Sequence, residues 1–278
     1  MCRFSCLFMN ALLCSSVMGS AKPFSNLSPR IVGGNVANIT NHPYAAHIVV
    51  TYSGNNGVEF QSNCAAAIIG RDWILSAARC FDHAVIKKSV FHGGSTEKGG
   101  DNGKYSYLKP AIIHPKYNVN SSDYDFALAQ LWIKLDWSGT IDYLDLPTDE
   151  DEIRNGDLCW TAGWGELWGY KSGRDEDDLL HEVMLPIYDH SICEKIYDRK
   201  LTQRMLCAGY VNGTSNKGIC DDDWGAPLVC DRKLFGISSF IKENEPCGKS
   251  PAVFGRVKSI RKWIENETGI IPKNKFQF

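Results

Sequence analysis

Residues 220–230 read Cys-Asp-Asp-Asp-Trp-Gly-Ala-Pro-Leu-Val-Cys (CDDDWGAPLVC). Three acids and a tryptophan stand between two cysteines, and the apolar pair Leu228–Val229 leads into the second of them. A run of acids is ordinarily a solvated loop, and the clusters Asp149–Glu152 and Asp175–Asp178 read that way. Asp221–Asp223 sits beside a cysteine and a tryptophan, which that reading does not explain.

On both sides of this loop the chain is a series of short β-branched and aromatic runs broken by turn residues. Ala45–Tyr52, Ala66–Ile69, Trp73–Ser76, Tyr107–Ile113, Phe126–Leu131, Leu158–Gly163, Val183–Ile187, Leu228–Val229, Leu234–Phe240 and Ala252–Val257 read as strands. Their spacing predicts an all-β antiparallel barrel or sandwich rather than βαβ units. Two helices are expected. One starts near Ser191 and carries Ile192, Ile196 and Tyr197; the other covers about Lys258–Asn266, with Ile260, Trp263 and Ile264 on one face. There is no internal repeat and no Pro/Gly-rich linker.

The 278 residues are 44% hydrophobic and 22% charged, enough to bury a full core and unlike a disordered chain. From Ile31 onward 27 basic residues face 32 acidic ones, a net charge of −5, so a basic nucleic-acid binder is not expected. Arg3, an apolar stretch from Phe4 to Met18 and the small residues Gly19–Ala21 read as a secretory signal peptide over residues 1–20. Secretion places the remainder in an oxidising compartment. Cys2, Cys6 and Cys14 leave with the signal; eight cysteines remain, which implies four disulfides and leaves their pairing open. No C-x-x-C pair or H-E-x-x-H supports zinc, and no cofactor or metal is expected. No apolar run after the signal is long enough to span a bilayer. Sequons stand at Asn26, Asn38, Asn120, Asn212 and Asn266 as candidate glycosylation sites.

Five ordered segments resemble trypsin-like serine proteases. Arg30-Ile31-Val32-Gly33-Gly34 resembles the site where a cut after a basic residue activates the precursor. SAARC (Ser76–Cys80) is similar to the segment carrying the catalytic histidine, and DYDFALAQL (Asp123–Leu131) to the one carrying the catalytic aspartate. GWG (Gly163–Gly165) is similarly placed, and CDDDWGAPLVC resembles the nucleophile loop. SPAVFGRV (Ser250–Val257) with a C-terminal helix closes the pattern, so the likeness runs from about Arg30 to Asn266. It implies two packed antiparallel six-stranded β-barrels with a cleft between them. The expected layout is a pro-segment over 21–30, the barrels over 31–268 with their boundary near 135–150, and an extension over 269–278. It also implies the disulfides Cys64–Cys80, Cys159–Cys230, Cys193–Cys207 and Cys220–Cys247.

The same likeness places unsuitable residues at the reacting positions. Acyl transfer of this kind needs a hydroxyl nucleophile, a base, an acid that orients the base, and donors for the oxyanion. The base position before Cys80 holds Arg79, which keeps its proton and offers no lone pair. His83 is close in sequence, but Cys80 sets the register. The acid is retained as Asp125, with Arg79 its expected ion-pair partner and Ser239 its usual hydroxyl donor. The nucleophile position holds Trp224, and the oxyanion position holds Asp222, whose charge opposes the charge that must develop there. Asp223 matches the acid that pairs with a new amine at Ile31, and Asp221 is expected to be exposed. At the specificity pocket the base is Gly218 rather than an acid. The walls carry Ile241 and Ala252, with Phe240 for the usual tryptophan.

The resemblance therefore implies a secreted, inactive protease homologue that binds protein partners, with no role for nucleic acid or membrane. It is similar in general appearance to the inactivated protease paralogues of parasitic mites. That likeness implies a decoy or inhibitor of a host proteolytic cascade such as complement. The alternatives are an active serine peptidase with displaced machinery and a digestive-protease relic without function.

Overall fold

Alternation of apolar and polar positions sets the strands. In His181–Tyr188 every second side chain, His181, Val183, Leu185 and Ile187, is buried, which is the period-two signature of a sheet with one face on a core. The computed structural model describes residues 31–273 apart from 55–56, 85–87, 166–177, 212–214 and 216. The expected signal peptide and pro-segment, the sequons at Asn26 and Asn212, Arg30, Asp175–Asp177 and residues 274–278 lie outside the described residues.

The first half contributes β1 (Asn35–Val36), β2 (Ala45–Ser53), β3 (Glu59–Gly70), β4 (Trp73–Ser76), β5 (Val90–Gly93), β6 (Lys104–Tyr107), β7 (Ile112–Ile113) and β8 (Ala127–Gln130). The second contributes β9 (Leu158–Gly163), β10 (His181–Tyr188), β11 (Met205–Ala208), β12 (Pro227–Cys230), β13 (Lys233–Phe240) and β14 (Ala252–Arg256). Strands β9 to β14 pair in the order β10-β11-β14-β13-β12-β9, and β9 pairs again with β10, closing a six-strand barrel to which β1 is added. The other sheet runs β6-β5-β2-β3-β4-β8-β7. Its β6 and β8 ends meet through the bridge Leu108–Leu131, with Lys109 N donating to Gln130 O and Trp132 N to Tyr107 O. All pairings within both sheets are antiparallel, as the short alternating runs predict.

Several elements differ from their sequence reading. The single run Tyr107–Ile113 is broken: β6 stops at Tyr107 and β7 starts at Ile112, because Pro110 has no N–H to give a ladder. The segment Ala66–Ile69 is only the end of the twelve-residue β3. Strands β5 and β11 carry no clear alternation and are recruited by their neighbours β2 and β14. Helix α1 spans His190–Tyr197 and ends on left-handed Asp198. The C-terminal helical run is a 3-10 turn, Val257–Ile260, followed by α2, Arg261–Thr268, which stops at left-handed Gly269. Among the described residues no helix is long and apolar enough to cross a membrane.

One core fills the first barrel around Phe91, Phe126, Ile48 and Leu75, and a second surrounds Phe254, Leu185, Leu206 and Leu228. Disulfides join Cys64–Cys80, Cys159–Cys230, Cys193–Cys207 and Cys220–Cys247. The two halves meet tightly at Gly225, which has φ +88°; a Cβ there would fall 2.1 Å from Ala65 O and 2.2 Å from Ser76 Oγ. Backbone conformation and space therefore both require glycine. Gly225→Ala is expected to cost about 3 kcal/mol or more, lowering Tm by about 6–12 °C. A thermal melt monitored by circular dichroism checks it, and an unchanged Tm contradicts this packing.

Candidate functional site

The cleft between the barrels is organised around Asp125, whose side chain has no solvent exposure. It sits just before β8, after Ser122 and Tyr124, both held at φ 54°. Two non-glycine residues in the left-handed region so close together store backbone strain at this turn. Arg79 lies in the 3-10 turn Ala78–Cys80 that follows β4, anchored by the Cys64–Cys80 disulfide. Its backbone N–H donates to Asp125 Oδ1 at 2.9 Å, and its Nε donates to Asp125 Oδ2 at 2.9 Å. Ser239, in β13 of the other barrel, donates its hydroxyl to Asp125 Oδ2 at 2.6 Å. The carboxylate thus accepts three hydrogen bonds and one full positive charge, which is what a buried anion requires.

The guanidinium is held from three sides. Besides Asp125, its NH2 donates to Ser122 Oγ at 2.9 Å, and its Cζ lies 5.2 Å from the centre of the Trp224 ring. The indole face attracts the cation. Trp224 is itself fixed by its carbonyl, which accepts from Ala65 N across the barrel boundary. Sequence reasoning expected the Arg79–Asp125 pair but missed Ser122 and the cation–π contact. Ser122 stands just ahead of the DYDF motif, so proximity to that motif was the available signal. His83 projects to solvent with its side chain 93% exposed, next to Asp82 rather than Asp125.

Asp222 takes a left-handed φ of 65°. Burial raises the carboxyl of Asp221, which is half-buried rather than exposed as the sequence reading expected. It lines the cleft, held in a tight loop next to the Cys220–Cys247 bridge. Asp223 is completely buried. Its Oδ1 accepts from Gly165 N at 2.8 Å and its Oδ2 from Cys220 N at 3.1 Å. The GWG glycines make that room: a Cβ on Gly163 would lie 2.2 Å from Asp223 Oδ1, and one on Gly165 2.5 Å from its Cγ. Desolvation pushes the Asp223 carboxyl up to about 7, with Asp222 adding to the rise and the two backbone N–H donors and Lys98 opposing it. Ile31 is fully buried in the second core, and Val32 bridges Gly218.

Two connected grooves open on the cleft. One, of about 340 Å³, is lined by Arg79, Asp221, Trp224, Phe240 and Ile241, among others. The other, of about 570 Å³, runs past Arg79, Tyr117, Tyr197, Arg199, Phe240 and Ile241. Arg199 stacks on Phe240 with its Cζ 4.0 Å from the ring centre. Gly218 and Ala252 are both buried. A side chain on Gly218 would meet Gly248 Cα at 2.8 Å. Asn38, Asn120 and Asn266 are exposed, and Asn120 lies on the rim of the larger groove. Among the described residues no group of His, Cys, Asp or Glu is arranged to hold a metal ion.

Two barrels closed on themselves, joined across a cleft that contains a buried aspartate, define the chymotrypsin-like class of folds. The Trypsin family profile matches residues 31–264, and the chain belongs to that family. The chain is 29% identical to human transmembrane protease serine 5, over 86% of this chain and 52% of that protein. It is also 29% identical to rat transmembrane protease serine 9, over 88% of this chain and 22% of that one. It therefore spans about half or less of the length of these relatives. Among solved structures, GrC superposes with a TM-score of 0.71 at 25% identity, covering 85% of this chain and 99% of that one. The scabies mite inactivated protease paralogue superposes with a TM-score of 0.72 at 22% identity, with the same coverage.

Arg79→Ala leaves the buried Asp125 carboxylate without its cation and is expected to cost about 3–5 kcal/mol. Adding Asp125→Asn removes the orphaned charge and should recover much of that loss. A double-mutant cycle by chemical denaturation measures the coupling; independent, additive losses contradict the pairing.

Proposed function

We propose that this chain is a secreted, catalytically inactive member of the trypsin family that acts by binding another protein. One observation carries the reading. The side chain facing Asp125 is the guanidinium of Arg79, packed against Trp224. A guanidinium has no lone pair with which to accept a proton, and an indole has no nucleophilic oxygen. Two nearby serine hydroxyls are already engaged, Ser122 with Arg79 and Ser239 with Asp125. Asp222 further places a carboxylate where an oxyanion needs donors. These contacts favour a stabilised, inert cleft over an active peptidase with displaced machinery.

The four disulfides, which brace the frame independently of any chemistry in the cleft, support a protein whose surface is the working part. By analogy with inactive homologues, the partner we propose is a component of a proteolytic cascade such as complement, engaged as decoy or inhibitor. A pull-down from the native fluid distinguishes this from a relic without function, which retains nothing specifically.

No turnover of chromogenic peptide or ester substrates is expected before or after cleavage at Arg30, and no labelling by a serine-directed phosphonate. The double variant Arg79→His/Trp224→Ser should also stay near background, because Asp222 and Ile241 remain. Activity that follows the purified wild-type protein overturns the proposal, and strong recovery in the double variant shows that Asp222 and Ile241 matter less than argued.

We also propose that the cut after Arg30 stays structurally meaningful. The uncut fold holds the Asp223 proton up to about pH 7, whereas the ordinary value is 3.8. The folded state therefore binds more protons than the unfolded chain between those values, and stability of the precursor falls as pH rises from about 4 to about 7. An amine released at Ile31 can pair with the carboxylate, so protein beginning at Ile31 should lose this slope and melt a few degrees higher near neutral pH. Melting curves of both forms, and of Asp223→Asn, decide it. Identical pH profiles leave the motif without a physical role.

A further inference from the structure

Away from the cleft, the seam that brings β6 and β8 together carries aromatic side chains on its outer surface. Leu108 and Leu131 bridge there and are buried. One step along the same register sets Tyr107 opposite Trp132, with Trp132 N donating to Tyr107 O at 3.1 Å. Both side chains point outward: Tyr107 is 60% exposed, Trp132 66%, and the next residue, Ile133, 62%. Ile133 is pinned by its N–H donating to Ser106 Oγ at 3.1 Å. Tyr105, two residues before Tyr107 on the same face of β6, is 45% exposed. Single exposed apolar residues are common, but a contiguous group on a rigid sheet is the composition of an interface centre.

Two lysines flank this patch. Lys109 lies 5.6 Å from the Trp132 ring and donates to Gln130 Oε1 at 3.0 Å. Lys134 is exposed next to Ile133, whereas Lys104, one residue before Tyr105, falls on the opposite face of β6. Among the described residues neither Lys109 nor Lys134 is paired with a carboxylate. Asp72 is bonded to Gln130, and Asp101 lies beside Tyr105 at the far end. On a chain whose net charge is −5 beyond Arg30, this is a locally cationic, aromatic surface.

We propose that the Tyr107–Trp132–Ile133 face is a docking surface for an acidic protein segment bearing apolar side chains. The aromatic pair supplies burial and the lysines supply charge complementarity. An acidic membrane surface fits less well, because such attachment draws on about four to eight basic residues and two are present. This inference rests on the protein-binding reading above, but on a different surface from the cleft.

The test uses a short fluorescent peptide alternating Glu with Phe and Leu, with a Gln-for-Glu peptide as control, read by anisotropy against the full-length chain. Binding that weakens with added salt and is lost with the Gln peptide is expected. Tyr107→Ser/Trp132→Ser should weaken it by about tenfold or more. Trp132→Phe should largely retain it, and Lys109→Gln/Lys134→Gln should weaken it and flatten its salt dependence. The cleft variant Arg199→Gln should bind as wild type, and circular dichroism confirms that each variant is folded. Absence of peptide binding, or binding indifferent to the face variants, overturns the inference. So does co-sedimentation with phosphatidylcholine–phosphatidylserine vesicles in place of peptide binding. None of these results touches the proposal of inactivity, which fails only on turnover or phosphonate labelling.

Discussion

The buried carboxylate of Asp125 is the constraint around which the rest of the cleft is arranged. It belongs to the first barrel, accepts a hydroxyl from Ser239 in the second, and sits with no exposure to water. A charge in that position is tolerated only with a partner. Arg79 provides it through two hydrogen bonds, and in doing so is itself braced by Ser122 and Trp224. The residues that resemble a reacting constellation form instead an electrostatic unit, in which Arg79 and Ser239 are bonded to the acid and Ser122 to Arg79.

The second buried acid follows the same logic by other means. Asp223 lies on the backbone of Gly163 and Gly165, whose missing side chains leave room for its carboxylate. Two N–H donors satisfy its oxygens, yet desolvation still raises its proton affinity. One acid has a cation supplied permanently by a side chain; the other is held by backbone N–H donors. On the reading proposed above, the contrast leaves the activation segment a physical role that the reacting positions lack.

Much of the fold was legible because its signals are local. Alternation marks β10, and the apolar spacing of Ile260, Trp263 and Ile264 marks the C-terminal helical segment. Where neighbours decide, the sequence misled: β5 and β11 are strands because β2 and β14 offer them a ladder, and Pro110 splits what reads as one strand. At the site, Arg79, Asp125 and Trp224 were legible from their motifs. Ser122 and Arg199 were not, nor, on the separate β6–β8 seam, was the Tyr107–Trp132 pair, because their partners lie far away in the chain or across a barrel seam.

By itself, the sequence determined the chemical identities: an arginine, a tryptophan and three acids at positions that the resemblance marks, with eight cysteines to hold the frame. Those identities already limit what proton transfer or nucleophilic attack can occur, since neither guanidinium nor indole can serve. Only the tertiary structure decided which groups touch. It placed Arg79 on Asp125 rather than in solvent, laid Asp223 against two glycines some 60 residues away, and turned Tyr107 and Trp132 outward together. The reason is that burial and close packing are properties of surfaces brought together, and a linear order of residues does not state which surfaces those are.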